Sequence, residues 1–163
     1  MKPVYPLKQV IEVKKRRVED AEKMVLAKKE ALNKEEERLK EREADRDKVK
    51  KHYNDKMKQM REEMDHGTTS PKIQQMKVYS KVVEEKLKAE EKKVQDQKEQ
   101  VKIAEKNLEA AKEELKRKRM EVDKLLTHKV DWEKEMRKEE EIQEGREQDE
   151  IGSVMHLIHK RRR

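Results

Sequence analysis

The chain has 163 residues, of which 51% are charged and 31% are hydrophobic, and it contains neither phenylalanine nor cysteine. So few apolar residues cannot fill a globular core, and without cysteine there are no disulfides and no thiolate metal sites. The net charge of +7 comes from 45 basic and 38 acidic residues that are mostly interspersed, so it favours anionic partners only weakly.

An apolar residue recurs every seven positions through the first part of the chain. The series is Val4, Ile11, Val18, Val25, Leu32, Leu39, Arg46, Tyr53 and Met60, and only Arg46 breaks it. A seven-residue period keeps one apolar strip along one side of a helix, which is typical of a coiled coil. Pro6 suits a first helical turn, where its missing N–H has no partner to lose, so we expect a helix from about residue 6 to residue 65.

Strong turn chemistry follows this first helix. Gly67 can end a helix, Ser70 is a favourable N-cap, and Pro71 is a favourable first helical residue. We therefore expect a turn over residues 65–70 and a second helix over about 71–145.

The second helix carries its own apolar strip, made of two series of residues. They are Leu87, Val94, Val101, Leu108, Leu115 and Val122, and Met76, Val83, Glu90, Gln97, Ala104, Ala111, Lys118, Leu125 and Trp132. The second series is small or polar in its middle, so we expect an uneven interface there. The sequence thus predicts an all-α fold, a long antiparallel two-helix coiled-coil hairpin over residues 1–145. Paired residue numbers should add up to roughly 136, and the chain after Trp132 should overhang the first helix.

Residues 146–163 form a tail of different character. The preceding polar run, residues 139–150, contains Gly145 and is typical of a frayed helix or a hinge, so the tail is expected to be flexible or to form a short amphipathic helix. Its apolar residues, Ile151, Val154, Met155 and Ile158, have helical spacing, and the chain closes with Lys160–Arg163. We favour docking into a groove of a partner protein over stable insertion into a membrane.

Two basic runs are brought together by the expected pairing. We call them the basic collar, which consists of Lys14, Lys15, Arg16, Arg17, Lys116, Arg117, Lys118 and Arg119. Neighbouring glutamates could neutralise the collar through pairs along each helix, or the collar could contact an acidic partner. The sequence leaves both interpretations open.

Two further places are candidates for binding. Trp132 either continues the seam or is an exposed anchor where the first helix runs out. The hairpin tip, which comprises Met60, Met64, His66, Gly67 and Thr68, either fills a tapering core with flexible methionines or forms a pliable binding surface.

No motif for catalysis or for binding a cofactor is found. Three scattered glycines cannot build a phosphate-binding loop, and carboxylates on an exposed helix are not desolvated as a general acid requires. His156 and His159 lack nearby third and fourth metal ligands. We expect a protein that is not an enzyme and holds no metal. With no secretory signal and no run of about 18 apolar residues, it should be soluble.

The opening run from Val4 to Glu22 is the most specific part of the sequence. Its Tyr5-Pro6-Leu7, the apolar pair that follows and the later Arg17-Val18 and Ala21-Glu22 resemble the start of the YscO family of type III secretion stalk proteins, particularly its chlamydial members. The two-helix layout extends this similarity loosely over most of the chain, but no correspondence is assigned to the tail after Gly145.

The resemblance implies a non-catalytic accessory factor in the bacterial cytoplasm, at the inner-membrane face of the secretion apparatus. It is similar to the flagellar protein FliJ and, in shape, to the gamma stalk of rotary ATP synthases. The implied partners are the hexameric secretion ATPase, whose activity it would promote, the export gate protein, the needle-length regulator and secretion chaperones. We expect one partner at the open end, at Tyr5, Leu7, the basic collar, Trp132 and the tail, and the other at the tip.

Two other classes of function compete. A purely structural coiled-coil spacer or oligomerisation rod would require no sequence feature other than the apolar seam. A nucleic-acid-binding coiled coil would place Lys14–Arg17 and Lys160–Arg163 on phosphates, but acidic residues interrupt every basic face and stacking aromatics are nearly absent, so we expect no nucleic-acid partner.

Overall fold

Two long helices make up the protein. The computed structural model describes residues 2–162, and over that range it contains helix α1, Lys8–Asp65, and helix α2, Ser70–Arg161, with no β-strand. The helices run antiparallel and pack against each other, which confirms the predicted all-α helical hairpin.

The turn between the helices is closed by backbone hydrogen bonds. The Gly67 N–H donates to the Met64 carbonyl at 3.2 Å, and Gly67 has a φ of 82°. A residue with a side chain is strained in this left-handed conformation, so glycine is favoured where α1 ends. The Ile73 N–H donates to the Thr69 carbonyl at 3.2 Å, which makes Thr69 the N-cap of α2 in place of the predicted Ser70.

Helix α2 does not end near Gly145. It continues through Gly145 and Gly152 to Arg161, so the expected hinge is not seen and the tail is helical. A single glycine inside a helix costs only about 1 kcal/mol, and the glutamate, glutamine and arginine residues around Gly145 favour the helix. Every residue of 146–162 is exposed, in agreement with the predicted overhang.

The chain divides into two compact units, and this division differs from the predicted one at residue 145. The terminal unit consists of Met1–Glu22 and Glu114–Arg163, and the turn unit consists of Lys23–Glu113. Each unit contains part of α1 and part of α2, so each has its own interface between helices.

The core of the turn unit is contributed mainly by α2. Its buried residues are Val83, Val94, Val101, Ala104, Leu108 and Ala111. The seam residues of α1 in this unit, such as Leu32 and Leu39, are only half-buried. Gln97, one of the polar seam residues, donates through Nε2 to the Glu35 carbonyl at 3.0 Å and also to the Glu35 carboxylate. The uneven middle of the seam is therefore bridged by a hydrogen-bonded amide.

The terminal unit has a smaller core. Its buried residues are Tyr5, Ile11, Leu115 and Val122. Lys14 pairs with Glu121 across the helices at 3.0 Å, and their residue numbers add up to 135, close to the predicted 136. The seven-residue period therefore predicted which faces meet, and the position of the turn predicted the register.

Two valines of α2 provide a matched test of the seam in the turn unit. Val94 is 2% exposed and Val78 is 64% exposed. We expect Val94→Ala to lower the free energy of unfolding by about 2 kcal/mol, because two buried methyl groups are lost, and Val78→Ala to change it by less than about 0.5 kcal/mol. Urea unfolding followed by circular dichroism measures both, and equal effects would contradict the assignment of the seam.

Candidate partner-binding surfaces

An aromatic cluster anchors the start of the chain in the terminal unit. Tyr5 is 4% exposed, and its hydroxyl is hydrogen-bonded to Nδ1 of His128 at 2.6 Å. The Tyr5 ring meets the half-buried Trp132 edge-on, with ring centroids 5.4 Å apart. Such edge contacts add to the stabilisation from burial alone. Trp132 is thus a seam residue that packs on Tyr5, yet part of its surface remains open to a partner.

A groove of about 400 Å³ lies beside this cluster. Tyr5 and Trp132 contribute to its lining, and so do four cations, Lys2, Lys8, Lys129 and Arg137. Two carboxylates also line it, and one of them, Glu133, pairs with Lys129 at 3.9 Å. An aromatic wall with a mainly basic rim suits an acidic chain segment that also carries apolar side chains. Leu7, another predicted contact residue, is half-buried nearby in the chain.

Half of the basic collar is neutralised by ion pairs within the terminal unit. Lys14 pairs with Glu121 at 3.0 Å, and Arg119 pairs with Glu22 at 3.2 Å, both across the helices. Glu114 lies 2.7 Å from Arg117 and 3.6 Å from Lys118 on α2.

The other four collar residues have no ion pair within residues 2–162. They are Lys15, Arg16, Arg17 and Lys116, and all four are exposed. Because three of them are consecutive on α1, their charge is concentrated there. Four of the collar cations therefore pair across the helices or along α2, and four face solvent. The contact with an acidic partner stays a prediction.

The paired carboxylates of the collar are stabilised in their charged form. The hydrogen bond from Arg117 lowers the pKa of Glu114, and the hydrogen bond from Lys14 lowers the pKa of Glu121, more than partial burial raises either. The same bond from Arg117 to Glu114 raises the pKa of Arg117. Both carboxylates are therefore charged at neutral pH.

The tail presents large apolar side chains to solvent. Ile151 is 64% exposed and Met155 is 63% exposed, and Val154, Leu157 and Ile158 are exposed as well. Arg163 lies outside the described residues, while Lys160 and Arg161 end α2. The apolar residues of the tail therefore lie on a helix, as predicted, and their side chains are exposed to solvent.

The tip of the turn unit is only partly filled by methionine. Met60 and Thr68 are half-buried, whereas Met64, His66 and Gly67 are exposed. A groove of about 260 Å³ is lined by Met60, Met76 and Tyr79 together with polar neighbours. Both predicted roles of the methionines are therefore compatible with the tip, because some fill space and some face solvent.

Helix α2 has an exposed apolar face next to the tip, which the sequence pattern did not indicate. Val78, Tyr79 and Val82 of α2 are exposed by 64%, 44% and 44%. Residues 71, 75, 78 and 82 have the spacing of a second strip along one side of the helix. This weaker pattern is hard to recognise beside the strong apolar pattern of the seam. Tyr79 is also hydrogen-bonded through its hydroxyl to Nε2 of His52 at 3.0 Å. His52 and His128 thus each form a hydrogen bond with a tyrosine hydroxyl.

Residues 2–162 contain neither a cluster of potential metal ligands nor a helix that could span a membrane. No group of three or more histidine, cysteine, aspartate or glutamate side chains there could hold a metal ion. No helix in that range is both long and apolar enough to span a bilayer.

Known proteins give a consistent picture of what this chain resembles. The family described as YscO-like protein matches residues 2–162, so the tail is included. The solved structure of CT670 from Chlamydia trachomatis, proposed to be a YscO homolog, matches with a TM-score of 0.94 and 49% sequence identity, and covers 99% of this chain and 100% of that one. No curated protein matches.

The aromatic cluster can be tested with Trp132, the only tryptophan. We expect Tyr5→Ala to lower the unfolding free energy of the terminal unit by about 3 kcal/mol and to shift Trp132 fluorescence to longer wavelength. Tyr5→Phe keeps the ring and loses only the bond to His128, so it should cost about 1 kcal/mol. Tyr79→Ala is the control in the turn unit, and a similar fluorescence shift there would contradict the assignment.

The pair between Lys14 and Glu121 predicts a pH dependence. Folding lowers the pKa of Glu121. The charged Glu121 therefore stabilises the fold at pH values above its pKa in the unfolded chain, and this stabilisation is lost as the pH falls through its pKa in the folded protein. Glu121→Gln should therefore lower the melting temperature at pH 7, and the difference from wild type should shrink at pH 3.

The exposed Glu135 supplies the control for this experiment, as Glu135→Gln in the same unit. A difference between Glu121→Gln and wild type that persisted unchanged at pH 3, measured by circular dichroism, would show that the charge of Glu121 is not responsible.

Proposed function

Because the chain belongs to the YscO-like family of non-catalytic type III secretion accessory proteins, we propose that it is a stalk that links the hexameric secretion ATPase to the export gate protein and stimulates ATP hydrolysis. Its place of action in this proposal is the bacterial cytoplasm at the inner-membrane face of the secretion apparatus. Secretion chaperones and the needle-length regulator are further proposed partners.

The proposal is carried by the four exposed collar cations, Lys15, Arg16, Arg17 and Lys116, which form no ion pair within residues 2–162. Exposed charges of one sign attract a partner of the opposite sign and speed up association. Two neighbouring collar cations, Lys14 and Arg119, pair with carboxylates on the other helix, so the exposed cations lie on a pair of helices that is held together locally.

The aromatic groove strengthens the assignment of the ATPase contact to the terminal unit. Tyr5 and Trp132 offer the kind of aromatic anchor that dominates many protein interfaces, and cations surround them. The tail belongs to the same unit, and its apolar residues begin about 28 Å beyond Trp132 along α2. Two packed helices are also slender, roughly 20 Å across, which suits the central opening of a ring.

The second contact of the proposal lies on the turn unit. Val78, Tyr79 and Val82 form an apolar face there, and Met64 and His66 are exposed at the tip. This surface is apolar where the collar is basic, so the two units suit partners of different chemistry. We assign the export gate protein to the turn unit for this reason.

The ATPase contact can be tested with a charge reversal of the four exposed collar residues. We expect the full chain to stimulate ATP hydrolysis by the purified secretion ATPase of the same bacterium. Changing Lys15, Arg16, Arg17 and Lys116 to glutamate should raise the concentration for half-maximal stimulation by about tenfold or more, which corresponds to about 1.4 kcal/mol of binding free energy.

The matched control reverses four exposed cations of the turn unit, Lys50, Lys51, Lys58 and Arg61. It makes the same change in net charge and should leave the stimulation as in wild type. No stimulation of an active ATPase by the full chain would reject the stalk function. Equal loss in both variants would show that net charge, and not the collar, is responsible.

A further inference from the structure

One wall of the aromatic groove is not helical. Helix α1 begins only at Lys8, so the groove lies between α2 and residues 2–7, which we call the N-terminal strap. The strap is anchored by its buried Tyr5, whose hydroxyl is hydrogen-bonded to His128 at 2.6 Å, whereas its first residues, including Val4, are exposed. The strap therefore covers only part of the surface that α2 presents where α1 has not yet begun.

The strap has backbone groups that a second chain can bind. Pro3 and Pro6 favour an extended conformation at the residues that precede them. Within residues 2–162, no backbone hydrogen bond involves the N–H or the carbonyl of Val4. These two groups can therefore pair with an extended segment that runs beside the strap, as when a peptide adds to the edge of a sheet.

The rim of the groove carries an excess of positive charge. Four cations line it against two carboxylates, and one carboxylate, Glu133, is paired with Lys129 at 3.9 Å. The other three cations form no ion pair within the described part of the chain, and they are Lys2, Lys8 and Arg137. Because these side chains are exposed and stand on both sides of the groove, they attract carboxylates from solvent.

The floor of the groove is apolar. Trp132 and Met136 are both half-buried, and the Trp132 ring contacts the ring of Tyr5, with 5.4 Å between the centroids. A methionine side chain adapts to the shape of its neighbour, and its sulfur packs favourably against aromatic rings. The volume of about 400 Å³ accommodates one aromatic side chain together with the backbone that carries it.

We propose that the groove binds an extended acidic segment of a partner protein, which lies beside the N-terminal strap. One aromatic side chain of this segment packs on Trp132 and Met136. Carboxylates on either side of it pair with Lys2, Lys8 and Arg137. About four residues of the segment contact the groove, because the part of the strap that lines it is four residues long.

A single-stranded nucleic acid fits the groove less well. Its backbone has no N–H group for the Val4 carbonyl, and its phosphates are repelled by Glu133 and Glu140, which also line the groove. A peptide can present backbone N–H groups to these two carboxylates while its own acidic side chains point at the cations.

This inference rests on the proposed function only in assigning the acidic segment to the secretion ATPase. The chemistry of the segment follows from the groove alone, so binding is tested on the full chain without the ATPase. A chain that stimulates the ATPase and does not bind the segment keeps the stalk function and loses this inference. A chain that binds the segment without stimulating the ATPase loses the stalk function only.

A synthetic peptide tests the groove through Trp132, the only tryptophan. The probe is acetyl-EEDFEDEG-amide. We expect it to shift Trp132 emission to shorter wavelength with a Kd on the order of 100 µM at low ionic strength, and to bind more weakly in about 0.5 M salt. Replacing its phenylalanine by alanine, or its acidic residues by their amides, should each weaken binding by about tenfold. Equal binding of the three peptides would overturn the proposal.

Charge reversal locates the binding site on the chain. Lys8→Glu with Arg137→Glu should weaken binding of the probe by about tenfold or more. The matched control is Lys134→Glu with Lys138→Glu, which makes the same change in net charge on exposed residues of α2 outside the groove. The control should bind as wild type does, and circular dichroism verifies that both variants remain helical. Equal loss in the two variants would show that the groove is not the site.

The position of the bound segment can be determined because the chain has no cysteine of its own. A probe with an iodoacetyl group at its N-terminus should alkylate Val4→Cys about tenfold faster than Lys134→Cys, after correction for the rates with free iodoacetamide, because binding raises the local concentration of the reagent. Equal corrected rates would contradict a segment beside the strap. Tighter binding of an oligothymidylate than of the acidic peptide would assign the groove to nucleic acid and overturn the proposal.

Discussion

A helix that packs against one other helix can bury only a narrow strip of its surface, and every other feature of this protein depends on that limit. The residues buried in the strip of α2 are small, mostly valine and alanine, and they recur with the seven-residue period. All the remaining surface must be solvated, which is why half of the chain is charged. Because each layer buries little area, ion pairs such as Lys14 with Glu121 matter to how firmly the two helices are held.

The same limit explains what the sequence could predict. The period of apolar residues fixes the buried face of each helix, and Gly67 marks the turn, so the hairpin and its register follow from local pattern. The path of α2 through Gly145 could not be predicted as readily, because one glycine costs little against many good helix formers. The family was predicted from the run between Val4 and Glu22, and the match over residues 2–162 confirms it.

The candidate binding surfaces stay predictions, and the structure adds the side-chain contacts that the sequence could not give. The collar residues are adjacent as expected, yet only the side-chain geometry shows that Lys14 and Arg119 reach across to carboxylates while Arg16 and Lys116 do not. The contact between Tyr5 and His128 joins residues 123 positions apart, and no local pattern specifies it. The apolar face at Val78 was missed because a weak second strip is hard to recognise beside a strong one.

The spacing of these contacts along the chain also bears on how the protein is made. Met57 and Ser80 meet across 23 residues, Glu35 and Gln97 across 62, and Lys14 and Glu121 across 107. Once the turn has formed, each pair of residues farther from the turn closes only a short additional loop. The two helices can therefore pair progressively, starting at Gly67. Tyr5 is the last of these residues that can make its contacts. Its burial against Trp132 is possible only after residue 132 has left the ribosome, so the turn unit, which ends at Glu113, can be folded while the terminal unit is still incomplete.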